Sequence, residues 1–317
     1  MRPAQIILAG AASALLWTGA NGNPSLLGAE IEHWVAFATL AIYLASSYCD
    51  GSEYTVEGRA WPWFQKSWLL KALFGPQGYF KGQVICEDEE ALKEVKQGII
   101  AAFPHGIASF HHVMLCSDAC GFLTKFPTLG YKRRDLAASA ALGIPIFREM
   151  LLWMGCVDAG RSTAKAVLQR GYSMYVLPGG EREQVLTQCG RHIVYLKNRK
   201  GFVKLALQYG ADLIPNYSFG ETDMYTTSSF LSGLRLAVCK HLRVALPICW
   251  GVALTPIPRP VPLIAVVGKP IKVEKKVEPT NEDVDELHAK FVKALQELFD
   301  NHKANHDGYA NAKLEIH

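Results

Sequence analysis

Phe103-Pro104-His105-Gly106 is the stretch of this chain whose residue types point most directly to chemistry. The apolar run Ile99 to Phe103 reads as a buried strand, and Ser109 to Phe122 reads as a helix. Pro104 keeps the backbone extended between them, and Gly106 allows a substrate close to it. A histidine in that context projects from the rim of a sheet, near a helix N-terminus whose dipole favours the neutral ring. Neutral imidazole can accept a proton from an alcohol at physiological pH. The plain alternative is a structural histidine with its hydrogen bonds satisfied. His111 and His112 follow closely, but no third ligand stands at helical spacing. No metal is therefore expected, and both read as helix-surface or membrane-edge residues.

Pro178-Gly179-Gly180-Glu181-Arg182-Glu183 follows a second apolar run, Tyr172 to Leu177. Two glycines at a strand end bring backbone amides near a ligand, so Gly179 and Gly180 form a candidate oxyanion cradle. Glu183 is placed to orient His105 or to stabilise its imidazolium. An ordinary tight turn and a solvated carboxylate also fit this motif. Basic residues recur near predicted helix starts: Arg133-Arg134, Arg161, and Lys197-Asn198-Arg199-Lys200. Guanidinium forks and helix N-termini suit phosphates, and Arg199-Lys200 stands out because Gly201 follows it. A solvated face is the alternative for each. Arg148, flanked by Ile146 and Phe147, is either a substrate ligand or a buried salt-bridge partner. No Gly-x-Ser-x-Gly elbow, Walker loop or dinucleotide fingerprint occurs, which weakens esterase, kinase and dehydrogenase readings.

Several elements must position these residues. Further strands are expected at Ile193 to Leu196, Leu213 to Phe219 and Leu263 to Val267. Helices are expected at Phe147 to Gly155, Arg161 to Arg170 and Arg199 to Tyr209, the last stopped by Gly210 in a left-handed cap. Strand–helix alternation argues for one α/β layered domain, residues 50–317, with a mixed, partly parallel sheet. Near the end, Thr280 to Asp283 resembles a capping box that opens a closing helix.

Half of the 317 residues are hydrophobic and the net charge is +4, too small and scattered to argue for nucleic acid. The excess hydrophobicity collects at the front. Pro3 to Ala29 and Trp34 to Cys49 hold no charged side chain, and a Gly/Asn/Pro turn separates their apolar runs. Residues 1–49 therefore read as a membrane-embedded hairpin, with a cleaved secretory signal as the alternative. Trp61, Trp63 and Trp68 beside Lys66 and Lys71 suit a headgroup layer, or else pack on the body. The stretch Leu231 to Leu246 reads as an interfacial helix, with Leu234, Ala237, Val238 and Leu242 opposing Arg235, Lys240 and Arg243. Eight cysteines without a CxxC pair indicate reduced thiols and a reducing compartment.

Together, Pro104-His105-Gly106, Gly179-Gly180-Glu181-Arg182-Glu183 and the block Arg199-Lys200-Gly201-Phe202 … Gly210-Ala211-Asp212-Leu213 … Phe219-Gly220-Glu221 resemble the type-2 diacylglycerol acyltransferase family. That family also holds the monoacylglycerol and wax-alcohol acyltransferases. The resemblance runs from about Asp50 to the C-terminus. It implies a glycerolipid-acyltransferase-like fold and His105 as catalytic base, aided by Glu183. It also implies that Pro104, Gly106, Arg148, Gly179, Gly180, Arg199, Lys200, Gly220 and Glu221 serve the substrates. Those substrates would be acyl-CoA, as co-substrate with no further cofactor, and diacylglycerol or a related neutral lipid. A bilayer partner follows, at the endoplasmic reticulum or a lipid droplet surface with the catalytic domain in the cytosol; a homo-oligomer is compatible with it. The family usually has a histidine where this chain has Phe103, which argues that this first position is not needed for proton transfer. The acidic residue of the related H-x4-D motif is also missing, since Phe110 stands five residues after His105.

Overall fold

The segment Gly98-Ile99-Ile100-Ala101-Ala102-Phe103 contains no polar side chain, and as strand β2 (Gly98–Phe103) it is buried along its whole length. Strand geometry sends alternate residues to opposite faces. Ile99, Ala101 and Phe103 enter a core shared with Val203, Ala206 and Phe291, while Ile100 and Ala102 meet Leu115, Phe122 and Tyr175. A strand that is apolar on both faces needs cover on both, and helices supply it. The computed structural model describes residues 26–242 and 244–317.

Seven strands form the main sheet: β1 (Gln83–Cys86), β2, β3 (Arg133–Ala137), β4 (Cys156–Asp158), β5 (Ser173–Val176), β7 (Asp212–Phe219) and β10 (Ile264–Val267), in the order β1-β10-β7-β2-β5-β3-β4. Strands β7, β2, β5, β3 and β4 run parallel, and β10 is antiparallel to β7. The sheet is thus mixed and partly parallel, as expected. The run Ile193 to Leu196 is not part of it: β6 (His192–Val194) pairs instead with β11 (Leu314–Ile316) near the C-terminus. The remaining pair is β8 (Thr226–Thr227) with β9 (Cys249–Trp250).

The helices that matter here are α1 (Leu26–Tyr48), α2 (Trp68–Phe74), α3 (Phe110–Cys116), α4 (Phe147–Trp153), α5 (Arg161–Gln169), α6 (Gly180–Leu186), α7 (Gly201–Tyr209), α8 (Ser232–Leu242) and α9 (Asn281–His302). Two ends behave as read. Gly210 closes α7 at φ 68°, and its amide bonds Ala206 O. Thr280 and Asp283 exchange hydrogen bonds of 3.1 and 3.0 Å to open α9.

The membrane hairpin is overturned. Among the described residues no helix is long and apolar enough to cross a membrane. Its second run lies in α1, where Glu30, Glu32 and His33 occupy the early turns. The C-terminal end of α1 docks on protein instead: Tyr48 Oη donates to Gly143 O at 3.0 Å, and Tyr43 Oη accepts from the Ile146 amide at 3.2 Å. The first run, Ile6 to Trp17, lies outside the described residues. The interfacial reading of Leu231 to Leu246 also changes face. Arg235 turns inward, bonded to Ser228 O at 2.6 Å, while Leu234 and Ala237 are exposed.

Candidate active site

Strands β7, β2 and β5 are adjacent and parallel, so their C-terminal ends share one edge of the sheet. Pro104-His105-Gly106 leaves β2, Pro178-Gly179-Gly180 leaves β5, and Gly220-Glu221 leaves β7. Motifs far apart in sequence therefore meet at the rim where open parallel sheets place their ligand sites.

His105 is half-buried and tied down on nearly every polar atom. Its amide donates to Glu183 Oε1, and its carbonyl accepts from Ser109 Oγ at 2.8 Å. Its Nδ1 lies 3.2 Å from Gly106 O and 3.1 Å from Ser109 Oγ. A carbonyl oxygen can only accept, so Nδ1 carries the proton and Nε2 presents a lone pair. Among the described residues Nε2 has no hydrogen bond. Burial lowers the His105 pKa below the usual histidine value, although the Gly106 carbonyl opposes this. The ring is therefore neutral near pH 7.

Glu183 does not meet the imidazole. Its carboxylate accepts from the backbone amides of His105 and, at 2.9 Å, Tyr195. Burial raises its pKa to about 7, against the pull of these two amides and the Arg199 charge. Expected as a partner of the ring, Glu183 is a clamp on the loop that carries it. Gly179 is required beside it, because a Cβ there would fall 2.0 Å from Glu183 Oε2. The amide of Gly180 is spent on Leu177 O at 3.1 Å, which takes it out of the expected oxyanion cradle.

Glu221 is a second clamp. Buried to 1% exposure, it accepts from the amides of Phe110 and His111 at 3.0 Å each, and from His111 Nδ1 at 3.0 Å. A carboxylate at a helix start satisfies orphan amides and opposes the dipole. It also lies on Gly106, where a Cβ would meet Glu221 Cγ at 2.5 Å. Gly106 thus answers to Glu221 rather than to substrate. Gly220 takes φ 91° at the turn, and its amide donates to Tyr309 Oη at 3.2 Å.

Several sequence assignments move. Arg148 is fully buried, paired with Glu53 and Glu149 and set over the Tyr48 ring at 5.1 Å, so it is the salt-bridge partner and not a substrate ligand. Lys200 is paired with Asp285 at 2.6 Å, whereas Arg199 is exposed. Arg133 and Arg134 open a strand rather than a helix, and both are buried. His111 and His112 are also buried, not on a surface. His112 Nε2 lies 2.7 Å from Asp135, which Arg133 grips through two further contacts. Ligand atoms of His112, Cys116 and Asp135 lie within 4.8 Å of one another. Burial lowers the His112 pKa, but Cys156 and Asp135 outweigh it and bring the value up to about 10. With Arg133 on the same carboxylate, these buried residues form an ion network at the base of α3. Phe103, where the usual motif has histidine, is fully buried in the core against Phe291.

Comparison with known proteins then sets the class: an acyltransferase enzyme. The diacylglycerol acyltransferase family profile matches residues 33–317. The chain is 32% identical to human 2-acylglycerol O-acyltransferase 3 over 82% of this chain and 79% of that one. It is 31% identical to mouse diacylglycerol O-acyltransferase 2-like protein 6, over 93% and 91% respectively. Mouse diacylglycerol O-acyltransferase 2 is 33% identical over 78% of this chain and 66% of its own length. The chain belongs to the diacylglycerol acyltransferase family. A solved 1-acyl-sn-glycerophosphate acyltransferase from Thermotoga maritima aligns over 93% of this chain and 92% of its own, at 12% identity and a TM-score of 0.44, too distant to carry an argument.

Proposed function

We propose that the protein transfers a fatty acyl group from acyl-CoA to the free hydroxyl of diacylglycerol, with His105 as general base. One observation carries the reading. On a rim histidine whose amide, carbonyl and Nδ1 are all held, only Nε2 is left with a lone pair. Nε2 takes the alcohol proton as the oxygen attacks the thioester carbon. The C–S bond breaks, and the imidazolium returns its proton to the departing thiolate. The names of the relatives support an acylglycerol acceptor. The 2-acylglycerol enzyme among them keeps monoacylglycerol as the second acceptor to test.

Arg199 grips an acyl-CoA phosphate in this reading, being exposed and close enough to Glu183 to lower its pKa. The protein works at a membrane of the endoplasmic reticulum or a droplet surface, with its catalytic domain in the cytosol. Trp34, Phe37, Trp63, Trp68, Phe230 and Leu254 support that setting, since each is exposed by more than 60%. All eight cysteines are free, in keeping with a reducing compartment. Membranes carrying the expressed protein, given labelled oleoyl-CoA and a panel of acceptors, test the whole. Labelled triacylglycerol is expected with diacylglycerol. Free fatty acid alone would mean hydrolysis, and no product a binding role.

A further inference from the structure

We propose that Ser109 is a positioning residue for His105, its hydroxyl holding the imidazole as the Nδ1–H tautomer and aiming Nε2 at the acceptor alcohol. This rests on His105 as the base and deepens that reading.

Ser109 occupies the N-cap position of α3, where a serine ordinarily accepts a hydrogen bond from an amide of the first turn. It makes no such bond. Glu221, arriving from β7, has taken the amides of Phe110 and His111. Ser109 is thereby released from capping, and its backbone is left-handed at φ 53° and ψ 45°. A non-glycine residue held there needs an explanation, and such outliers gather at functional sites. The hydroxyl supplies one. Its oxygen lies 2.8 Å from His105 O and 3.1 Å from His105 Nδ1. A hydroxyl has a single hydrogen, and the His105 carbonyl can only accept it. Ser109 Oγ must then accept from Nδ1–H, in agreement with Gly106 O on the same nitrogen.

Among the described residues no carboxylate does this work. Glu183 and Glu221 direct their oxygens to amides and, in the case of Glu221, to His111. In serine-protease triads a buried aspartate fixes the tautomer and stabilises the imidazolium as well. A neutral hydroxyl orients the ring with a weaker pull on its proton. His105 stays unprotonated at the pH where an alcohol must be met.

Ser109→Gly separates the hydroxyl from the backbone, because glycine adopts positive φ freely and fits this turn at least as well. With kcat, the KM for acyl-CoA and thermal unfolding measured together, we expect kcat to fall about tenfold, the usual worth of one hydrogen bond to a charged group. The KM should stay within about twofold and the melting temperature should change little, since relief of the left-handed backbone at glycine offsets the hydrogen bond lost at His105 O. The acid limb of kcat/KM should move to lower pH, because one acceptor that favours the imidazolium is gone. Ser109→Ala is the second variant and should show the same kcat loss. His105→Ala runs in parallel. If it retains turnover, the base reading itself falls. If it is inactive while both Ser109 variants keep full kcat and an unmoved acid limb, the role of Ser109 alone is overturned.

Discussion

Glu183 and Glu221 each accept from two backbone amides, so replacing either by its amide turns a donor toward a donor. Glu183→Gln should cost ~1–3 kcal/mol, the usual cost of a buried unsatisfied group. The pH dependence gives a sharper signature. The folded-state pKa of Glu183 is raised from 4.5 to about 7, with burial as the main cause. Between those values the folded protein keeps a proton that the unfolded chain has lost. The contribution of Glu183 is thus full below its unfolded pKa and is lost as pH rises through about 7. Melting curves over that window should show wild type losing its advantage over Glu183→Gln as pH rises; a constant gap would contradict the titration. The glycines give a second check. Gly106→Ala and Gly179→Ala drive a methyl group onto Glu221 and Glu183, at 2.5 and 2.0 Å, and each should cost ~1–3 kcal/mol together with activity.

At the scale of elements, Arg148 ties α4 to the end of α1 and to Glu53. Arg148→Met strands buried carboxylates and should cost ~3–5 kcal/mol by thermal or urea unfolding, with the KM for acyl-CoA unchanged in the folded fraction. Arg199→Ala should do the reverse, raising that KM and leaving the melting temperature alone, because the side chain is exposed. These contrasts follow what was legible in the sequence. Strands β2 and β10 could be read because they are uninterrupted apolar runs, β5 and β7 because apolar residues outnumber their few polar ones, and α9 because its capping box is local. Strand β3 escaped because it opens with Arg133-Arg134-Asp135, charges that are tolerated inside only by pairing with one another and with backbone carbonyls. The clamps escaped too. Glu221 meets Phe110 across 111 residues, a contact that periodicity cannot register. His105 was legible from its strand-to-helix context, but Ser109 showed only as a helix start.

For the whole molecule, four of the most exposed aromatic residues, Trp34, Phe37, Trp63 and Trp68, belong to α1 and to the segment before and within α2, and among the described residues no helix is long and apolar enough to span a membrane. Trp63→Ser with Trp68→Ser should weaken recovery on floated phospholipid vesicles several-fold, as expected when interfacial aromatic anchors are removed. Unchanged flotation would place the lipid-facing surface elsewhere. The central claim concerns His105, and it is tested most directly by the turnover of His105→Ala with acyl-CoA and diacylglycerol, in protein shown to retain the wild-type melting temperature. The account predicts a loss of ~10²–10⁴ in kcat, the scale of general-base catalysis. It also predicts a wild-type kcat/KM that rises with pH through a value below the ordinary histidine range, since burial lowers the His105 pKa. Near-normal turnover in the folded variant would contradict it.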